Sequence, residues 1–446
     1  MINRVLMKLL DPVADESVTS LMTKEYAQNP LVLLTASQKL GLTAVIEAGI
    51  RAETGKELGR PLGSPIVLSP WQSVLLTPRQ LFDLPTGSVA EIRTQTIIGP
   101  TAKKPLRLDI PIMVTAMSYG GSLSLEMKVA LAKGAGMVGT ATNTGESTVT
   151  EEERSLAKYL IGQYNRGGWL TDRRLLKRVD AIEVQLGQGA FGGAVESYMA
   201  AATVGEHLRT VWHLAEDQGA TVRSRMPGVN SPRDIVHLVK AMKTEHDVPV
   251  GIKIAGSDNI EMDLEIVAEA CADFVTIDGS EGGTAVAPPT LEDNLGLPTL
   301  YSLVRAVDWL EERGLKQRCS VIATGGLSTP GHFLKCLALG ADAVSIGSIA
   351  IMAALHNQMG KVLPEATSLQ MALYGGSHVD KLDVDEAARS VANFLKSCIA
   401  EMKLAAQAMG KRDLAELGRK DLVTVDKDLA EFIGIRYAGS RPTEAR

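Results

Sequence analysis

A lysine inside an apolar run is the first residue of this sequence that could do chemistry. Lys253 stands in "VGIKIA", Val250 to Ala255, among β-branched neighbours. Such a cation either snorkels to solvent or points into the mouth of a barrel, where burial without a partner would be costly. Two later segments carry a second kind of chemistry. "ATGGLSTPGHF" sets Gly325 and Gly326 after an apolar run and opens a helix near Thr329, and "SIGSIAIM" does the same with Gly347 and Ser348. Glycine lets backbone N–H groups approach an anion, and a helix N-terminus adds positive potential. The two turns together read as a phosphate cradle; singly, each is an ordinary strand-to-helix turn. "SEGGTAVAPP", Ser280 to Pro289, follows "FVTID" and is either a tight turn or a ligand-contacting loop. A phosphate site combined with a cation that would stabilise negative charge on a reduced flavin suggests FMN.

The elements that must position these residues repeat. "PIMVTAM", "MVGTATN", "AIEVQLG", "VPVGIKIAG", "FVTIDG", "SVIATGG" and "AVSIGS" are short, rich in β-branched residues, and end in glycine or a small polar residue. Helical stretches such as "NIEMDLEIVAEAC", "LYSLVRAVDWLEERG" and "PGHFLKCLALGA" follow several of them. Strands that alternate with helices and are apolar on both faces imply a parallel sheet. An eighth strand is expected between about 220 and 235. Eight such units fit a closed (β/α)8 TIM barrel, an α/β fold whose active site lies at the C-terminal ends of the strands. The expected organisation is an N-terminal extension over residues 1–100 packing on the barrel, an FMN-binding barrel over 101–360 and a C-terminal helical segment over 361–446. In that last segment "DEAARSVANFLKSCIAEMKLAAQAMGKRDLAEL" reads as a long helix followed by a short one.

The bulk composition narrows the partners. A net charge of −6 with 4% aromatic residues leaves neither a basic footprint nor a stacking platform for nucleic acid. No apolar run reaches the length of a membrane span, and "MINRVLMKLL" is cut short by Asp11 and Pro12 before it could act as a signal peptide. The expected location is cytoplasmic. The four cysteines follow no CxxC spacing and the seven histidines no ligand spacing, so no metal site is expected.

From roughly residue 60 to 430 the chain resembles the FMN-binding synthase domain of glutamate synthase. The resemblance is carried by "AMSYGGSLS", "TNTGE", "IEVQLGQGA", "IKIAG", "GSEGGTAVAP", "TGGL" and "IGS" in that order, and by the closing "AMGKRDLAELGRKDLVTVD". It implies that FMN lies across the barrel mouth, with Met117, Ser118 and Gly120 of the first loop near the flavin ring. It implies further that Asn143 and Gln188 meet the polar edges of the flavin and that Lys253 sits beside the ring. Gly283, Thr284, Gly325, Gly326, Gly347 and Ser348 would line the ribityl and phosphate end. Glu281, where the family usually has aspartate, would orient a substrate or a proton-carrying water, and Arg166 would bind a carboxylate. The reaction implied is hydride transfer from reduced flavin to an imine.

Three departures accompany the resemblance. The family's iron–sulfur cysteines have no counterpart in "IAIMAALHNQMGKVLPEATSLQMAL", so no iron–sulfur cluster is expected and electrons would come from a small donor or from an electron-donor protein or subunit. Phe191 and Gln185 stand where the family has lysines, which implies a changed small-molecule substrate, with one carboxylate or a larger apolar part. No cysteine precedes Cys271, so ammonia from the family's own glutaminase route is not expected. Two other readings share the motifs: a non-redox FMN enzyme resembling type 2 isopentenyl diphosphate isomerase, and a flavin-binding subunit without catalysis. A homo-oligomer is compatible with all three.

Overall fold

Eight short strands, each turning one face outward to helices and the other inward, form one parallel sheet. They are β1 (Ile112–Val114), β2 (Ala141–Asn143), β3 (Tyr159–Tyr164), β4 (Ala181–Gln185), β5 (Val250–Ala255), β6 (Phe274–Asp278), β7 (Ser320–Thr324) and β8 (Ala343–Ile346). Each pairs with its successor from β2 to β8, β8 pairs with β1, and a bridge from Ala116 to Asn143 joins β1 to β2. The sheet is therefore a (β/α)8 barrel. This computed structural model describes residues 2–29, 31–193, 196–285 and 287–441.

The period of two along each strand sorts the side chains. Val250, Ile252 and Ile254 of β5 belong to the outer core, whereas Phe274 of β6 joins Met113, Ala141, Ile161, Ala181, Ile322 and Ala343 inside the cylinder. A hairpin of Thr96–Ile98 with Leu106–Leu108 closes the N-terminal end: Ile98, Leu106 and Leu108 pack into that same inner cluster. The C-terminal end of the cylinder stays open.

The eighth strand is β3, not the segment between 220 and 235. "YLIGQY" escapes a search for β-branched runs because Gly162 and Gln163 interrupt it. Both interruptions have a cause. A Cβ on Gly162 would lie 2.9 Å from Val179 Cγ1, and Gln163 is buried on the inner face, where its Nε2 donates to Glu183. Ala220–Val222 instead pairs antiparallel with Ser197–Met199, outside the barrel.

The helices start where local chemistry directs. Ser124 and Thr329 cap the helices Leu125–Met137 and Pro330–Ala338 by accepting from Met127 N and His332 N, and Pro330 occupies the first turn of the second, where its missing N–H costs nothing. The long C-terminal helix is Val384–Ala408; the short element after it is only a 3-10 turn, Leu414–Glu416. The long helix approaches Leu125–Met137 closely, since a Cβ on Gly134 would lie 2.7 Å from Ala388 O. The compact division of the chain falls at Gly59 rather than near 100, so residues 60–100 belong with the barrel. The first unit contains the helices Ile2–Thr23, Val32–Leu40 and Leu42–Thr54. Among the described residues no helix is long and apolar enough to cross a membrane.

Candidate active site

A cavity of about 420 Å³ opens at the C-terminal ends of the strands. The position is the one a TIM barrel reserves for function, because the strand ends there converge while loop residues remain free to vary. Every strand contributes to its wall, for example Met117 and Ser118 after β1, Arg166 after β3, Gln188 after β4, and Gly347 and Ser348 after β8. Lys253, Glu281, Gly283, Thr284, Gly325 and Gly326 complete the sequence-derived residues that line it. Gly120 and Asn143 do not.

Lys253 points inward and is 2% exposed. Its Nζ is 2.8 Å from Asp278 Oδ2, one strand away. Burial opposes the charge, but Asp278, Glu183 and Glu146 outweigh it and hold the ammonium pKa above the ordinary lysine value. Beneath it Glu183 accepts from Asn143 Nδ2 at 2.9 Å, Gln163 Nε2 at 2.8 Å and Thr276 Oγ1 at 2.7 Å. Asn143 is thus a support: its Oδ1 accepts from Gly145 N and its carbonyl from the buried Lys128. Gly120 is also a packing position, since a Cβ there would lie 2.6 Å from Leu208.

Across the cavity, the turns after β6, β7 and β8 present backbone. The N–H groups of Gly325, Gly326 and Gly347 have no protein acceptor among the described residues, and Ser348 opens the helix Ser348–Leu355. This is a donor set suited to an anion. Side chains are excluded from it: a Cβ on Gly326 would lie 2.7 Å from Glu281 Cβ. The strap from Arg60 to Trp71 runs alongside. Its Leu62 N donates to Thr284 O at 3.0 Å, and Arg60 pairs with Glu292 and Asp293.

Glu281 lines the cavity and is engaged by that strap. Its carboxylate accepts from Leu68 N at 3.2 Å, Ser69 N at 2.5 Å, Ser69 Oγ at 2.8 Å and Thr299 N at 2.9 Å. With these donors engaged, the Glu281 carboxylate tethers the strap and the start of the helix Thr299–Glu312. Arg166 is likewise engaged. Glu146 takes its Nε at 3.1 Å and Nη2 at 3.3 Å, and Gly193 O takes Nη1 at 3.1 Å.

A model described as a conserved region in glutamate synthase matches residues 77–412, three quarters of the chain. The chain belongs to the glutamate synthase family. Among relatives of this family member, a glutamate synthase large subunit-like protein of Rhizobium meliloti is 30% identical, with 78% of this chain and 82% of that protein covered. An archaeal glutamate synthase [NADPH] of Methanocaldococcus jannaschii is 31% identical, covering 79% and 69% respectively. The flavin-binding domain of baker's yeast flavocytochrome b2 superposes with a TM-score of 0.52 at 17% identity, over 86% of this chain and 84% of that one, which is a likeness of fold.

In this member of the family Glu146, Gln163, Glu183 and Asp278 also face or support the cavity, although local sequence patterns do not single them out. Asp278 carries the clearest local signal of the four. An aspartate ending the apolar strand "FVTID", next to a strand with an inward lysine, is the natural counter-ion of that lysine.

Proposed function

We propose that the protein is an FMN-dependent oxidoreductase of the glutamate synthase type, acting at a carbon–nitrogen bond of a small substrate. The observation that carries this reading is the pairing, in one cavity, of an inward Lys253 with a backbone cradle whose N–H groups have no protein acceptor among the described residues. The family match and the shared fold with a flavin-binding domain support it. The residues fit the cofactor. Gly325, Gly326, Gly347 and Ser348 would hold its phosphate, Gly283 and Thr284 its ribityl chain, and Met117, Ser118 and Gln188 would meet the ring. Bound FMN would supply the two-electron hydride chemistry between an amine and its imine.

The chain's own residues supply position and charge. Lys253, held as a cation by Asp278 and itself 2% exposed, stabilises negative charge developing beside it. Gly145, with φ of +64°, lets the loop after β2 run against the Met117–Ser118 backbone; a Cβ there would lie 2.5 Å from Ser118 N. Glu281 and Ser69 tether the strap that walls the cradle. The cysteines do not converge: Cys319, Cys336 and Cys398 are buried, Cys271 is exposed, and all four are free. Electrons are accordingly proposed to come from a small donor or a docked protein rather than through an iron–sulfur cluster.

An absorption spectrum of the purified protein, with iron analysis of the same sample, tests the reading. Flavin bands without iron are expected. A protein that stays colourless after FMN addition would remove the oxidoreductase assignment and leave the fold.

A further inference from the structure

Two helices of the first unit, Val32–Leu40 and Leu42–Thr54, are amphipathic, yet no residue of either is buried. Gly41 alone joins them, in left-handed backbone with φ of +84°. Helical spacing nonetheless orders their apolar side chains. Leu42, Val45, Ile46, Gly49 and Ile50 follow the i, i+3, i+4, i+7, i+8 pattern of a single stripe. Leu33 and Leu40 stand seven residues apart, on one side of the other helix. Leu33 is 66% exposed and Leu40 and Leu42 62% each, and Leu34, Ile46 and Ile50 are exposed as well. A helix with an apolar stripe is stable in water when another element covers that stripe.

Gly49 shows how closely the cover comes. It stands inside the stripe, where a Cβ would meet nothing within 4 Å. Glycine weakens a helix interior relative to alanine, and no contact of this chain calls for its missing side chain. A second helix crossing there would, since glycine lets another backbone approach.

Area and charge identify the occupant. At roughly 100 Å² of exposed apolar surface for each large side chain, Leu33, Leu34, Leu40, Leu42, Ile46 and Ile50 offer about 600 Å². That reaches the lower end of what each partner of a stable pair buries, about 600–1,000 Å². Between residues 32 and 59, Lys39, Arg51 and Lys56 balance Glu47, Glu53 and Glu57, although the whole chain carries −6. A membrane-lying helix draws on an excess of Lys and Arg, which this segment lacks. Equal numbers of opposite charges can instead match the same surface in a copy, where a patch of one sign would repel itself.

We propose that these two helices form a self-association surface, on which the same helices of a second copy of this chain pack about a two-fold axis, with Gly49 at the crossing.

Sedimentation velocity of the full chain at micromolar concentration tests this, and a species of twice the chain mass is expected. Leu42→Glu/Ile46→Glu/Ile50→Glu sets like charges against each other across the axis and is expected to weaken pairing at least a hundredfold. Gly49→Leu is expected to weaken it at least tenfold, although leucine is the better helix former. The four tryptophans all lie in the barrel unit, and their unfolding transition is expected to be the same in the triple variant as in the wild type. A monomeric wild-type chain overturns the proposal. So does a dimer that survives the triple substitution, or one that Gly49→Leu leaves unchanged or tightens. A loss of barrel stability in the triple variant also overturns it, because the stripe would then be covering the barrel of its own chain.

Discussion

Replacing Lys253 by methionine removes the ammonium while keeping most of the side chain's length. Asp278 then loses its partner at 2.8 Å, and Glu183 loses the charge of Lys253, at a site where Lys253 is 2% exposed. Deleting one member of a buried pair typically costs about 3–5 kcal/mol, because the other charge is left uncompensated. In the wild-type protein the Lys253 pKa is raised above the ordinary 10.5, so its contribution is complete below that pH and is lost only as pH rises through the higher folded value. The double variant Lys253→Met/Asp278→Asn removes both charges and should be more stable than the two single losses added together, by about 1–3 kcal/mol. Urea unfolding of the FMN-free protein followed by tryptophan fluorescence is the assay. Trp71, Trp169, Trp212 and Trp309 all lie in the barrel unit, so the signal reports that unit alone. Additive losses, or a Lys253→Met protein as stable as wild type at pH 8, would refute the argument that a buried charge pair organises the cavity floor.

Gly145→Ala forces a side chain into left-handed backbone and against Ser118 N, costing about 1–2 kcal/mol; FMN affinity, measured by titration, should fall about tenfold. Glu281→Ala strands the buried donors of Ser69 and Thr299, at about 1–3 kcal/mol each. Thermal unfolding should register that loss more strongly than the rate of flavin reduction does, and the opposite pattern would restore a catalytic role to Glu281. His332 lines the cavity with its pKa lowered below 6.5, first by burial and then by Lys335. Its contribution is present above pH 6.5 and is lost as pH falls through the lower folded value, so His332→Gln should flatten the decline in stability between about pH 7 and 5 in denaturant titrations.

Local sequence signals are enough to set the class of fold and most of the site's inventory. Short β-branched runs followed by glycine and a helix admit few architectures, because a parallel strand apolar on both faces must be covered on both. The same local signals placed Lys253 inside a strand and glycines at strand ends, and these converge on one cavity. What needed the tertiary structure were relations between residues distant along the chain. Tyr159–Tyr164 is a strand because its inward Gln163 is satisfied by Glu183 on the next strand, a polar pairing that the run "YLIGQY" does not announce. Arg166 and Glu146, twenty residues apart, cancel each other only once the loops after β2 and β3 lie side by side. Glu281 reads as a functional acid until folding sets it against Ser69, more than two hundred residues away, whose hydroxyl and N–H it tethers. Residue type and local spacing establish which groups are available for chemistry. Which of them remain unpaired, and so able to act on a ligand, depends on the charges and donors that the folded chain brings within reach.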